Sequence, residues 1–88
     1  IAENLADERL IANALGRMGA VYESFGKNKE AVKFYSSCLN LVVKLEDRRG
    51  EATAHANLAL VYTRSGRMKK AARHYRKYLD LARLTENK

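Results

Sequence analysis

From Glu8 to Phe25 the apolar residues Leu10, Ile11, Ala14, Leu15, Met18, Val21, Tyr22 and Phe25 return at steps of three and four, the period of an amphipathic helix. Asp7 stands where a side chain caps such a helix. Gly26 ends it, because glycine enters the left-handed conformation after a last turn without steric cost. Asn28 is placed to accept backbone N–H groups at the start of a second helix that carries Ala31, Val32, Phe34, Tyr35, Cys38, Leu39, Leu41, Val42 and Leu45 and ends near Asp47. Asp47-Arg48-Arg49-Gly50 reads as a short connector. A third helix runs through Ala54, Leu58, Val61 and Tyr62 to Gly66, and a fourth from about Met68 to Thr85. Short connectors turn each helix back on its predecessor, so the pattern predicts an all-α fold of two stacked antiparallel hairpins.

The pattern also repeats. A shift of 40 residues lays Tyr22 on Tyr62, Gly26 on Gly66, Ala31 on Ala71, Tyr35 on Tyr75 and Leu39 on Leu79, the mark of a repeat array. The same shift lays Ile1–Ala6 on Leu41–Glu46, the tail of a second helix. This predicts a piece of a longer array, in which residues 1–6 close a preceding repeat, 7–46 form one repeat and 47–88 another. The last helix carries apolar Tyr75, Tyr78, Leu79, Leu81 and Leu84 without a polar capping face, so a neighbour is expected to cover it.

Composition narrows the function. At 88 residues the chain makes one small domain, too small for a deep cleft between lobes, which favours binding over catalysis. With 47% apolar and 31% charged residues and no proline it is globular and helical rather than disordered. No apolar run approaches the roughly 18 residues of a membrane span, and no signal segment opens the chain. Cys38, the single cysteine, excludes an internal disulfide and a multi-thiolate metal site within one chain; the expectation is an intracellular, cytoplasmic protein. The formal charge of +7 favours acidic partners over a screening distance of about 8 to 10 Å.

Each unit follows one order. Leu15, Met18-Gly19, Tyr22, Gly26, Ala31 and Tyr35 in the first correspond to His55, Leu58-Ala59, Tyr62, Gly66, Ala71 and Tyr75 in the second. This resembles the tetratricopeptide repeat over nearly the whole chain. Small Gly19 and Ala59 let paired helices approach, Ala31 and Ala71 do so on the second helix, and the tyrosines fill the gaps. Three features depart from the common pattern. The period is 40 rather than about 34; Val43 and Arg83 replace the closing proline; and the small position near the end of the second helix is Cys38 in one unit and Tyr78 in the other. The longer period, with Asp47-Arg48-Arg49-Gly50-Glu51 and Asn57-Leu58-Ala59, is similar to the Leu-Gly-Asn subclass of spindle-orientation adaptors and of receptor-clustering rapsyn.

The resemblance implies a solenoid fragment of right-handed superhelical sense, whose first helices line a concave groove that holds a partner peptide or helix. It places Asn13, Arg17, Ala20 and Ser24 of the first unit, and Thr53, Asn57, Leu60 and Arg64 of the second, on that groove. These residues step by three or four, and they form the face left over once the core positions are assigned. Asn57 can hold a backbone amide, and Arg17 and Arg64 can grip carboxylates in forked geometry. The carboxylate clamp that some family members use for chaperone tails is not expected, because its Lys and Asn positions fall on Gly16 and Ala20. Ala20 and Leu60 instead make the floor apolar, so the expected ligand is an acidic amphipathic segment.

A competing reading comes from the fourth helix. Lys69, Lys70, Arg73, Arg76 and Lys77 make it basic, with Tyr75 and Tyr78 among them, which suits nucleic acid or an anionic membrane; a solvated outer face with Tyr75 in the core is the plainer account. A third reading is architectural, with adjacent repeats stacking end to end. His55 and His74 lie on different helices without a carboxylate or thiol at metal-ligand spacing, and both read as packing residues. Cys38 has no histidine at a catalytic spacing, and no glycine-rich phosphate loop is present. The sequence therefore predicts neither metal nor cofactor, and no enzyme.

Overall fold

The computed structural model describes residues 5–86. Four helices follow one another: α1 (Leu5–Ser24), α2 (Asn28–Lys44), α3 (Arg48–Arg64) and α4 (Met68–Glu86). No strand occurs among the described residues. α1 packs on α2, α2 on α3 and α3 on α4, giving a plate of 42 × 32 × 15 Å. The all-α hairpin architecture expected from the periodicity is the one found.

The turns share one geometry. Gly26, Glu46 and Gly66 adopt positive φ of 76°, 57° and 81°. After each, the next N–H closes back on the helix just ended: Lys27 to Tyr22 O, Asp47 to Val42 O and Arg67 to Tyr62 O, at 2.8–2.9 Å. The left-handed residues thus stand 20 positions apart, and the 40-residue repeat is two helix-plus-turn units of equal length. At 46 the chain uses glutamate where the other turns use glycine, at a cost of about 1 kcal/mol for a side chain in this conformation.

Several boundaries differ from the sequence reading. α1 is described from Leu5, so Asp7 lies inside the helix rather than at its cap. Leu5 and Ala6 run into α1 as one helix, and Ile1–Asn4 lie outside the described residues. Lys27, not Asn28, occupies the cap of α2, and no side chain bonds there. Asp47 belongs to the start of α3 rather than to a connector: its carboxylate accepts the Gly50 N–H at 3.0 Å, and the chain turns at residues 45–47.

The core sits between the hairpins. Ala31 and Tyr35 of α2 and Leu58 and Val61 of α3 are buried, with Tyr22, Val32, Leu39 and Tyr62 packed around them. α2 and α3 are the two helices with a neighbour on both sides. α1 and α4 have one each, and their apolar residues are largely exposed: Leu10, Ile11, Met18, Val21 and Phe25 on α1, which periodicity placed on the inner face, and Tyr75, Tyr78, Leu79 and Leu84 on α4, whose apolar face the sequence left for a neighbour. Tyr75, expected in the core, is 43% exposed, whereas its repeat mate Tyr35 is 2% exposed beneath α3.

Two glycines inside α1 have opposite surroundings. A Cβ on Gly19 would lie 2.6 Å from Cδ1 of the Tyr35 ring, while one on Gly16 would meet only Cys38 Sγ, at 3.7 Å. Gly19→Ala is expected to destabilise the protein by about 1 to 2 kcal/mol, overpacking outweighing better helix propensity. Gly16→Ala is expected to stabilise it by about 0.5 to 1 kcal/mol. Urea denaturation of the two variants beside the parent measures both signs.

Candidate binding groove

α1 brings Arg9, Asn13, Gly16, Arg17 and Ala20 to one side of a groove of about 520 Å³, and α3 brings Gly50, Thr53, Ala54 and Asn57 to the other. Arg9, Asn13, Gly16 and Ala20 step by four, three and four, and Gly50, Thr53 and Asn57 by three and four, with Arg17 and Ala54 beside them, so each set is one helical face. α2 and its following turn close the floor with Cys38, Val42, Leu45 and Asp47. The floor is narrow because Gly16 presents no side chain toward Cys38, and because the Cys38 thiol donates to Ala12 O at 3.3 Å, fixing α2 against α1. Burial first, and then the Asp47 charge, raises the Cys38 pKa, so the thiol stays protonated and unreactive at neutral pH.

Of the eight residues expected on this surface, Asn13, Arg17, Ala20, Thr53 and Asn57 line it. Ser24 does not: it lies at the end of α1, where its hydroxyl donates to Val21 O at 2.7 Å. Leu60 lies outside the groove, exposed on α3, so the apolar floor comes from Ala12, Val42, Leu45 and Ala54 together with Ala20. Arg64 is also outside, donating to Glu23 Oε2 at 2.9 Å. The Tyr35 hydroxyl donates to the other oxygen of the same carboxylate at 2.8 Å. One glutamate on α1 thus ties down a residue on α2 and another on α3. Burial and the Glu23 charge raise the Tyr35 pKa, so the phenol stays a donor throughout the working pH range.

The groove carries positive charge at two places. Arg17 pairs with no carboxylate among the described residues. Arg9, which sequence reasoning missed, lies 3.9 Å from Asp47, an ion-pair distance but not a hydrogen bond, so its forked donors stay available. Extending the helical step from Asn13 back by four residues leads to Arg9, so that signal was present. Asp47 could not be placed in the groove from sequence, because its position depends on where α3 begins.

On the other hairpin the structure joins two residues that the sequence leaves apart. His55 Nδ1 and His74 Nδ1 lie 2.8 Å from each other, one ring donating and the other accepting. Tyr62 stacks on His74 at 5.6 Å, as Tyr22 stacks on Phe34 in the first hairpin at 5.3 Å, and Lys70 Nζ lies 5.5 Å over the Tyr62 ring. Repeat alignment foreshadowed the stack, since His74 falls on Phe34. Nothing in the sequence signalled the bond. Among the described residues no group of three or more His, Cys, Asp or Glu side chains could hold a metal ion.

A family model described as Tetratricopeptide repeat matches residues 10–83. No curated protein and no solved structure matches the chain. No helix among the described residues is long and apolar enough to cross a membrane.

The histidine pair makes the second hairpin sensitive to acid. Burial lowers both pKa values from the ordinary 6.5; for His74 the neighbouring His55 and Arg73 lower it further, and for His55 Glu51 opposes while Lys77 adds to the fall. Folded chains therefore bind fewer protons than unfolded ones, and stability falls as pH drops below about 6.5. The melting temperature is expected to fall between pH 7.5 and 5. His55→Leu with His74→Phe, which restores the residues of the first hairpin, is expected to remove most of that fall in thermal melts across the range.

Proposed function

Since the chain belongs to the tetratricopeptide repeat family, whose repeats generally mediate protein–protein interactions, we propose that it is a non-catalytic scaffold holding an acidic amphipathic peptide or helix in the α1–α3 groove. One observation carries the reading: Asn13 and Arg17 on α1 and Thr53 and Asn57 on α3 face the same cavity, above a floor where Val42 and Leu45 stand beside Cys38 and Asp47. Side-chain amides on both walls can pair with both sides of a peptide bond. Arg17, with Arg9 one further step along α1, supplies forks for carboxylates, and the floor takes apolar anchors. Arg64 leaves the ligand set because Glu23 holds it. The 40-residue period supports a place near the Leu-Gly-Asn subclass, and a single unpaired cysteine suits an intracellular, cytoplasmic setting.

The alternative is a basic module for nucleic acid or anionic membrane. What favours it is that Lys69, Lys70, Arg73, Arg76 and Lys77 are all exposed and pair with no carboxylate among the described residues. Of the five, Lys70 also has a partner within its own hairpin, its Nζ lying 5.5 Å over the Tyr62 ring.

Capture of protein from nuclease-treated cell extract at moderate salt separates the readings. Arg17→Glu with Asn57→Ala is expected to reduce capture by about 10- to 100-fold, the loss of a charge-assisted bond and an amide pair. Leu60→Ala and Ser24→Ala are expected to leave it within about twofold, because neither residue reaches the groove. Undiminished capture by the Arg17/Asn57 variant, or recovery of nucleic acid alone from untreated extract, overturns the groove.

A further inference from the structure

We infer that the end of the groove where Arg9 meets Asp47 is a subsite for a neutral side-chain carboxamide, a Gln or Asn of the bound peptide. The inference rests on the groove reading and refines it: Arg17 takes a carboxylate of the ligand, and Arg9 together with Asp47 refuses a second one.

The two arginines of α1 stand in different company. Arg17 pairs with no carboxylate among the described residues. Arg9, about two helical turns and so about 12 Å away along α1, has Asp47 Oδ2 at 3.9 Å from its Nη1. The two oxygens of Asp47 also differ. Oδ1 accepts the Gly50 N–H at 3.0 Å, which holds the carboxylate as the cap of α3. Oδ2 accepts no hydrogen bond among the described residues, and its distance from Arg9 is beyond bonding range. Gly50 lines the groove at this point and leaves Oδ2 uncovered, since a Cβ there would stand 2.6 Å from it. Neither side chain is sealed, Arg9 being 59% and Asp47 30% exposed. A donor and an acceptor thus stand side by side in the groove, each short of a partner.

The 3.9 Å between them is a gap that a carboxamide spans. Its oxygen and nitrogen lie about 2.2 Å apart, so two slightly splayed bonds of about 2.9 Å close a ring, Arg9 donating to the amide oxygen and the amide nitrogen donating to Asp47 Oδ2. Charged groups match only one member of the pair. A carboxylate sets an oxygen against Oδ2, and an ammonium or guanidinium sets a cation against Arg9, so each leaves one charge opposed. A single trans peptide group points its N–H and C=O to opposite sides and does not meet both.

The test pans a phage-displayed library of random peptides against the 88-residue chain. About 12 Å is three to four residues of extended chain, so enriched peptides are expected to carry Glu or Asp and, three or four residues away, Gln or Asn. Asp47→Asn is the specificity variant. Asn caps a helix as well as Asp does, and the Gly50 N–H retains the amide oxygen, which puts the amide nitrogen in the place of Oδ2. Two donors then stand side by side, the arrangement that suits a carboxylate. Panning on Asp47→Asn is expected to exchange Gln or Asn at that position for Glu or Asp. In titrations of one enriched peptide made with Gln and with Glu there, the parent is expected to prefer Gln at least tenfold and Asp47→Asn to prefer Glu; circular dichroism checks that both chains fold alike. No enrichment, or enriched peptides that Arg17→Glu binds equally well, overturns the groove reading and the subsite with it. Peptides that need Arg17 but are acidic at both positions, or a Gln-to-Glu preference that Asp47→Asn leaves unchanged, overturn the subsite alone. Enrichment of Lys or Arg at the second position overturns it in favour of simple pairing with Asp47.

Discussion

Two hairpins can share a core only where a helix is covered on both sides, and in this chain that happens along α2 and α3. Tyr35 stands at the centre of that layer. Its ring fills the space left by Gly19 on one side and meets Leu58 and Val61 on the other, while its hydroxyl holds the Glu23 carboxylate that also holds Arg64. Removing the methyl at position 19, enlarging the aliphatics of α3 and fixing a carboxylate on α1 are three local choices that agree on one angle between the hairpins. The groove is a by-product of that agreement. Its two walls belong to α1 and α3, which face each other across the floor that α2 provides.

How much of this was legible depends on whether a feature repeats. The four helices and the close approach at Gly19 follow from patterns within one hairpin, and the 40-residue shift carries the pattern to the next. Whether a residue is covered by a neighbour is not a property of its hairpin. Tyr35 and Tyr75 occupy the same register, each four residues after an alanine and four before a leucine, yet one is buried and the other open. Arg64 failed as a groove residue for a related reason: its partner lies 41 positions away on α1, and the equivalent of Glu23 in the second unit is Thr63, which bonds Ala59 O within its own helix. Asn13, Arg17, Thr53 and Asn57 share one groove because a helical face is set by spacing alone.

The two hairpins also differ in what joins them. In the first, Leu15 and Phe34 stand where the second has His55 and His74. An apolar contact holds at any pH, whereas a bond between two imidazoles requires that at least one ring stay neutral. α4 therefore combines the outermost position, one neighbour and a titratable seam with α3. Because stability in a stacked array is a sum over neighbouring interfaces, acid weakens the α3–α4 interface before the α1–α2 one.

The plate is 15 Å thick and 42 Å long. Such a body resists stretching in its plane far better than bending out of it, because bending needs only small slips between adjacent helices. Its groove lies between α1 and α3 on the floor that α2 provides, so any slip of either helix on α2 changes the width of the groove. A ligand that prefers a narrower or wider slot would be accommodated by curvature spread over three turns, and the mechanical work of that flexing would appear in its affinity.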